Sequence, residues 1–232
     1  TPPLPSPFHF SHIAMAPAVL YSYWRSGCSW RVRTVLELLD VEYEIRPVHL
    51  VKGGGEQFSE EYAEKNPMKQ VPALLIDDLT LTQSLAIIEY LIETRGEGKV
   101  ELMGKDAASR AKIRQISEMI ASGIQPIQNL SVLTKIAKDF GDEHKMPWAK
   151  HFITVGFEAV EKVLSKSAGK YCVGDELSLA DVCIPPQVYN ANRFGVDMSQ
   201  FPIISRIDAQ LAEIDAFKKA HPDSQPDKPE GQ

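Results

Sequence analysis

Apolar residues follow two rhythms along this chain, and the change between them comes near residue 95. Residues 18–23, Ala-Val-Leu-Tyr-Ser-Tyr, form a short uncharged run that predicts a buried strand. From 28 to 39 the apolar Trp30, Val35, Leu38 and Leu39 stand among charged positions at helical spacing, so a strand-to-helix junction is predicted at Ser26, Gly27 and Cys28. A short strand over 43–50, a loop at Gly53, Gly54 and Gly55, and a polar helix over 57–65 follow. Residues 71–76 and 79–82 predict two strands joined by an Asp77-Asp78 turn. Pro72 cannot donate to a strand ladder, so it belongs at an edge or at a first position. A cis Val71–Pro72 bond is expected there, where the backbone presents its own N–H and C=O groups to a ligand. Ser84 then caps a helix over 85–93 whose Leu85, Ile88 and Leu91 form a core face.

The first part thus reads β-α-β-α-β-β-α, a small sheet with helices on its faces, over residues 18–95. A Gly-rich linker is expected at 96–105, and residues 106–220 carry helical spacing with almost no strand signal. The fold class is therefore α/β followed by all-α. Gly123 and Pro126 are expected to kink the helix that starts near Ala107. Ser178 and Asp181 have the spacing of a capping box, a structural role. Residues 1–17 are expected to be a disordered extension and the polar, Pro-rich 221–232 a flexible tail. The first 14 residues have no Lys or Arg and no apolar segment, unlike a signal or transit peptide. Organised sequence begins soon after Met15, which is the expected natural start, with the preceding residues extra.

Composition narrows the function classes. With 232 residues, 44% of them hydrophobic, the chain can build a substantial core, and no apolar run approaches the roughly 20 residues that span a bilayer. A net charge of -6 argues against a nucleic-acid partner. Locally the sign reverses, because Arg25, Arg31 and Arg33 surround Cys28 and make a region suited to small anions. Three cysteines without a C-x-x-C pair fit the reducing cytoplasm better than a disulfide framework. No histidines are spaced as metal ligands, so no metal is expected and His49, His144 and His151 receive no role. The triple glycine lacks the Lys-Ser or Lys-Thr of a phosphate-cradling loop.

Candidate chemistry lies in the run from Tyr21 to Arg33. A helix N-terminus carries unpaired N–H groups and a partial positive charge of about half a unit, which stabilises an anion. Ser26 and Cys28 lie there. A hydroxyl hydrogen bond of about 1.5–3 kcal/mol to a thiolate lowers a thiol pKa by about one to two units, so a thiolate at neutral pH is reasonable. It is either Cys28 itself or a bound thiol cofactor with Ser26 as the donor.

The runs Cys-Ser-Trp-Arg-Val-Arg at 28–33, NPMKQVPALLIDD at 66–78, TQSLAIIEYL at 82–91 and IQPIQNLS at 124–131, in this order, resemble the zeta class of glutathione transferases. The resemblance covers nearly all of residues 18–228 and implies a thioredoxin-like domain followed by a helical one. It implies glutathione as a regenerated cofactor for cis-trans isomerisation of maleylacetoacetate to fumarylacetoacetate, with transferase activity toward α-halo acids. Ser26 resembles the serine that bonds the glutathione sulfur and Cys28 the reactive cysteine beside it, within a contact run that includes Gly27, Ser29, Trp30 and Arg31. Gln57 is expected at the glycyl end, Val71 at the cysteinyl backbone, and Gln83 with Ser84 at the γ-glutamyl carboxylate. Gln125, Asn129, Leu130 and Ser131 match the helical segment that completes the site, with a homodimer implied. Arg193 and Arg25 are expected to face substrate carboxylates.

The chain departs from that family at Gly27, where a second serine is frequent. Two other readings stay open. One is a thiol transferase or dehydroascorbate reductase using Cys28, as in omega-class relatives. The other is a non-catalytic interaction module of the same fold.

Overall fold

A computed structural model describes residues 17–231. Its sheet has the order β2-β1-β3-β4: β1 (Ala18–Ser22) runs parallel to β2 (Tyr43–Pro47) and antiparallel to β3 (Ala73–Ile76), which pairs with β4 (Leu79–Thr82). The β3–β4 turn puts Asp77 at φ 51° and Asp78 at φ 60°. Both lie in the left-handed region that a two-residue hairpin loop needs and that aspartate tolerates. Helices α1 (Gly27–Leu38) and α3 (Ser84–Arg95) pack together, and α2 (Glu60–Lys65) is short. Leu20, Leu74 and Ile76 from the sheet meet Val32, Val35 and Leu36 of α1 and Ile87, Ile88 and Leu91 of α3. Each such burial contributes about 1.5–3 kcal/mol.

Six further helices follow: α4 (Ala107–Ala121), α5 (Leu130–Phe140), α6 (Lys145–Ser167), α7 (Leu179–Arg193), α8 (Pro202–Leu211) and α9 (Asp215–Ala220). Between Gly96 and Asp106 the chain has no helix or strand, but Leu102 is buried and its carbonyl accepts from Leu179 N–H at 2.9 Å. Helix α7 crosses the middle of the core, buried along nearly its whole first three turns, and α1 packs on both α7 and α9. Asp181 accepts from the Ser178 N–H at 2.9 Å, the Ser178 hydroxyl at 2.7 Å and the Cys172 N–H at 2.8 Å, which fixes the start of α7.

Three elements differ from expectation, the first two for local reasons and the third partly through a distant contact. The predicted 57–65 helix divides into a 3-10 turn, Glu56–Phe58, and α2, because the Ser59 hydroxyl caps a new start by accepting from Tyr62 N–H at 3.2 Å. At Gly123 the chain stops α4 instead of kinking it, and Pro126 falls in a separate 3-10 turn, Gln125–Gln128. The polar tail is tied down as far as Lys228. Gln225 is buried and donates to the Lys219 and His221 carbonyls, and Asp227 accepts from Trp24 N–H at 2.8 Å. Residues 1–16 of the expected N-terminal extension lie outside the described residues. No helix among the described residues is long and apolar enough to cross a membrane, and no cluster of three His, Cys, Asp or Glu is placed to hold a metal ion.

Candidate active site

Strand β1 delivers the chain to Tyr23 and Trp24, both buried, and a turn closed by Ser26 N–H to Tyr23 C=O at 2.9 Å starts α1. Ser26 is the N-cap, with extended φ -71° and ψ 116°, and its Oγ accepts from Ser29 N–H at 3.2 Å. A hydroxyl that accepts in this way keeps its own proton to donate. The N–H groups of Gly27 and Cys28 have no acceptor among the described residues, and Ser26, Gly27 and Cys28 are all half-buried. The N-terminal end of α1 thus has the donors to stabilise an anion, with a hydroxyl among them. Cys28 brings a half-buried thiol to the same turn. Cys172 and Cys183 are fully buried, and burial pushes both thiols up, away from thiolate chemistry.

Ser29, Trp30 and Arg31 do not join that open face. A helix advances about 100° per residue, so positions just after the exposed turn rotate into the protein. Ser29 and Arg31 are fully buried, and Trp30 packs edge-on against Tyr189 at 5.8 Å and His221 at 4.9 Å. These three residues, expected among the cofactor contacts, have their side chains turned into the protein. Arg31 instead donates from Nη1 to Ser84 Oγ at 3.3 Å, with no carboxylate partner among the described residues. This bond joins the starts of α1 and α3 around a buried positive charge.

Ser84 does not cap α3 as expected: it is the first helical residue, the N-cap is Gln83 with no side-chain bond, and the N–H groups of Ser84 and Leu85 have no acceptor among the described residues. The preceding Gln83 is exposed and holds φ 70° and ψ 113°, outside the regions a non-glycine residue ordinarily occupies. Such a conformation costs about 1–3 kcal/mol and persists where the surroundings impose it, a mark of binding sites.

The Val71–Pro72 peptide is cis. The Tyr21–Ala73 register sets these two residues beside the chain leading to Ser26. Asn66 and Tyr62 fix the approach, each donating to the Gln70 carbonyl at 2.6 Å. Val71 N–H and C=O make no hydrogen bond among the described residues, so an extended ligand can pair with them as an added strand. Gln57 is buried, its Nε2 donating to Leu50 C=O at 3.1 Å, while its Oε1 has no partner.

Arg25 and Arg193 converge from two domains. Arg25 lies over the Trp24 ring and Arg193, at the end of α7, over the Phe194 ring, at 5.2 and 4.9 Å. Desolvation and the like charge of Arg25 lower the Arg193 pKa, and neither guanidinium has a carboxylate partner among the described residues. Two cations close enough to feel one another, neither paired with a carboxylate, make a local positive region. Gln125, Asn129, Leu130 and Ser131 occupy the turn and helix start that pack on α4, α5 and α6, and share no hydrogen bond with the Ser26–Ser84 group.

Arg33, read in the sequence as one of the cations around Cys28, is turned instead toward the backbone that leads into Ser26. Arg33 is fully buried and donates to Ala220 C=O at 3.0 and 3.1 Å, Ser22 Oγ at 3.0 Å, Trp24 C=O at 3.1 Å and Tyr23 C=O at 3.4 Å. Burial lowers its pKa to about 10, against the opposing charge of Asp227. Arg33 and Asp227 together fasten the segment that enters Ser26 to the C-terminal end of the chain.

Residues 16–93 match the family "Glutathione S-transferase, N-terminal domain" and 131–219 match "Glutathione S-transferase, C-terminal domain". The maleylacetoacetate isomerase of Rattus norvegicus is 58% identical over 211 residues, covering 91% of this chain and 95% of that protein. This chain is a zeta-class glutathione transferase. A solved maleyl pyruvate isomerase, described as a bacterial glutathione transferase in the zeta class, superposes with TM-score 0.86 at 39% identity, over 91% of this chain and all of that one. The maleylacetoacetate isomerase of Anaeromyxobacter dehalogenans, solved with glutathione in its active site, gives TM-score 0.82 at 41% identity, over 92% and 98% of the two chains.

In this zeta-class transferase Gly27 does not adopt a left-handed φ, so nothing in the backbone demands glycine. A Cβ there would stand 3.3 Å from Pro186 Cβ and 3.7 Å from Asn190 Nδ2, a contact that a shift of a few tenths of an ångström relieves. Gly27→Ser is expected to fold normally and to keep or raise kcat/KM, since it adds a hydroxyl beside the anion site. A folded variant with no turnover would contradict this.

Proposed function

We propose that this chain binds glutathione and uses it as a regenerated cofactor to isomerise maleylacetoacetate to fumarylacetoacetate, with glutathione transfer to α-halo acids as a second activity. The observation that carries the reading is Ser26, whose Oγ accepts from Ser29 N–H at 3.2 Å at the N-terminal end of α1 and so keeps its own proton to donate. When bound, glutathione supplies a thiolate that adds to the cis double bond and leaves after rotation, so one high barrier becomes two accessible steps.

The chain's residues fit this ligand along its length. Ser26 and the Gly27 and Cys28 N–H groups stabilise the sulfur, the free Val71 backbone pairs with the cysteinyl amide groups, and the α3 start at Ser84 takes the γ-glutamyl carboxylate with Gln83 beside it. Arg31 steadies Ser84 and adds positive potential from beneath. Arg25 and Arg193 hold the substrate carboxylates next to the sulfur and offset the charge that develops on the substrate's carbonyl oxygen.

Arg193→Ala tests this placement. Loss of a charge-assisted hydrogen bond of about 1.5–3 kcal/mol is expected to lower kcat/KM for maleylacetone by roughly 10- to 150-fold. An unchanged kcat/KM would remove Arg193 from the site.

The same reading takes the protein as a cytoplasmic homodimer with small-molecule substrates. Free cysteines support that compartment, and exposed Phe58, Met68, Phe140 and Met146 support a covered surface, which sedimentation tests directly. Cys28, half-buried on the first turn of α1, favours thiol transfer as the second reading.

A further inference from the structure

A cavity that Ser26, Gly27 and Cys28 do not line lies where α1, α7, α8 and α9 meet beside Trp30. It measures about 390 Å³ and is walled by Trp30, Pro185, Val188, Tyr189 and Phe217, with the Asp208 carboxyl set into it from α8. Trp30, Tyr189 and His221 meet edge to face, giving a wall of rings. Asp208 is half-buried and makes no hydrogen bond or ion pair among the described residues. The other charged groups around the cavity are engaged elsewhere: Lys218 lies 3.5 Å from Glu213, and His221 Nδ1 accepts from Asp223 N–H at 3.1 Å. A carboxylate without a donor, facing aromatic rings, is a poor place for water and a good one for an organic cation, which pairs with the carboxylate and lies against ring faces. The volume holds a single-ring molecule with a short arm.

We propose that this cavity is a binding site for a protonated amine carried on an apolar, ring-sized body, with Asp208 as its counter-ion and Trp30, Tyr189 and Phe217 as its walls. Burial, which alone pushes the Asp208 carboxyl up to about 6, agrees with a group lacking a partner of its own. The site is separate from the proposed catalytic one and carries the opposite charge preference.

Calorimetric titration of the full chain, saturated with glutathione, tests it with 2-phenylethylamine at neutral pH and with 2-phenylethanol as the uncharged probe of the same body. The amine is expected to bind saturably and at least about tenfold more tightly than the alcohol. Asp208→Asn should remove that preference while maleylacetone turnover stays at the wild-type level. Ala212 lines the cavity from an exposed position, so Ala212→Trp should block it and abolish amine binding, which decides the matter if Asp208→Asn fails to fold. No saturable amine binding, equal binding of amine and alcohol, or undiminished binding to a folded Asp208→Asn or Ala212→Trp overturns the proposal.

Discussion

Ser26→Ala is expected to lower kcat/KM for glutathione-dependent isomerisation by about 10²–10³-fold, the usual loss when one preorganised donor to a developing anion is removed. Cys28→Ala should lose far less, because a thiol is a weak donor and the Cys28 N–H survives the substitution. Without the hydroxyl, the bound thiol's pKa should rise by about one to two units, so the acid limb of the pH–rate profile moves to higher pH. The variant also loses the N-cap bond to Ser29 N–H, costing about 1 kcal/mol of stability, so activity is compared at a temperature where both proteins are folded. Equal losses, or a larger loss for Cys28→Ala, would move the chemistry to Cys28 and thiol transfer.

Arg33→Met is expected to have the largest effect on stability. The Trp24 and Ala220 carbonyls would be left buried without a donor, at about 1–3 kcal/mol each, so a loss of about 2–6 kcal/mol is anticipated. At roughly 2–4 °C per kcal/mol for a chain of this size, thermal unfolding should fall by about 5 °C or more. Turnover should fall as well, because Tyr23 and Trp24 lead directly into Ser26. Arg33→Lys cannot span the same acceptors with one ammonium and should recover only part of both losses. A variant with wild-type melting and turnover would show that the segment is held by other contacts.

The contrast between Ser26 and Arg33 shows what the sequence makes legible. The junction at Ser26–Cys28, the Asp77-Asp78 turn and the α7 cap at Ser178 are local. Each is written in residues a few positions apart, and the structure places each where periodicity and turn chemistry put it. The Arg33–Ala220 and Trp24–Asp227 bonds join residues 187 and 203 positions apart, which no periodic signal reveals. The tail from His221 to Lys228 has the composition of a flexible end, and it is held both by the distant Trp24–Asp227 bond and by Gln225, which donates to the Lys219 and His221 carbonyls. At Ser29, Trp30 and Arg31 the motif names residues near a helix start but not which face of the helix each occupies, and the structure turns all three side chains inward. Arg31 meets the start of α3 only through Ser84 Oγ, a contact that the motif does not reveal. The Asp208 cavity left no trace in the sequence because α1, α7, α8 and α9 build it jointly.

The most direct test is to follow maleylacetone isomerisation and free thiol together, with glutathione at catalytic concentration. The double bond of this substrate carries no good leaving group, so the thiolate itself is the group that departs after rotation. Many turnovers per glutathione with no loss of thiol, and no turnover without glutathione, is the predicted result. Loss of one thiol for each substrate converted, or full turnover in its absence, would contradict a regenerated cofactor.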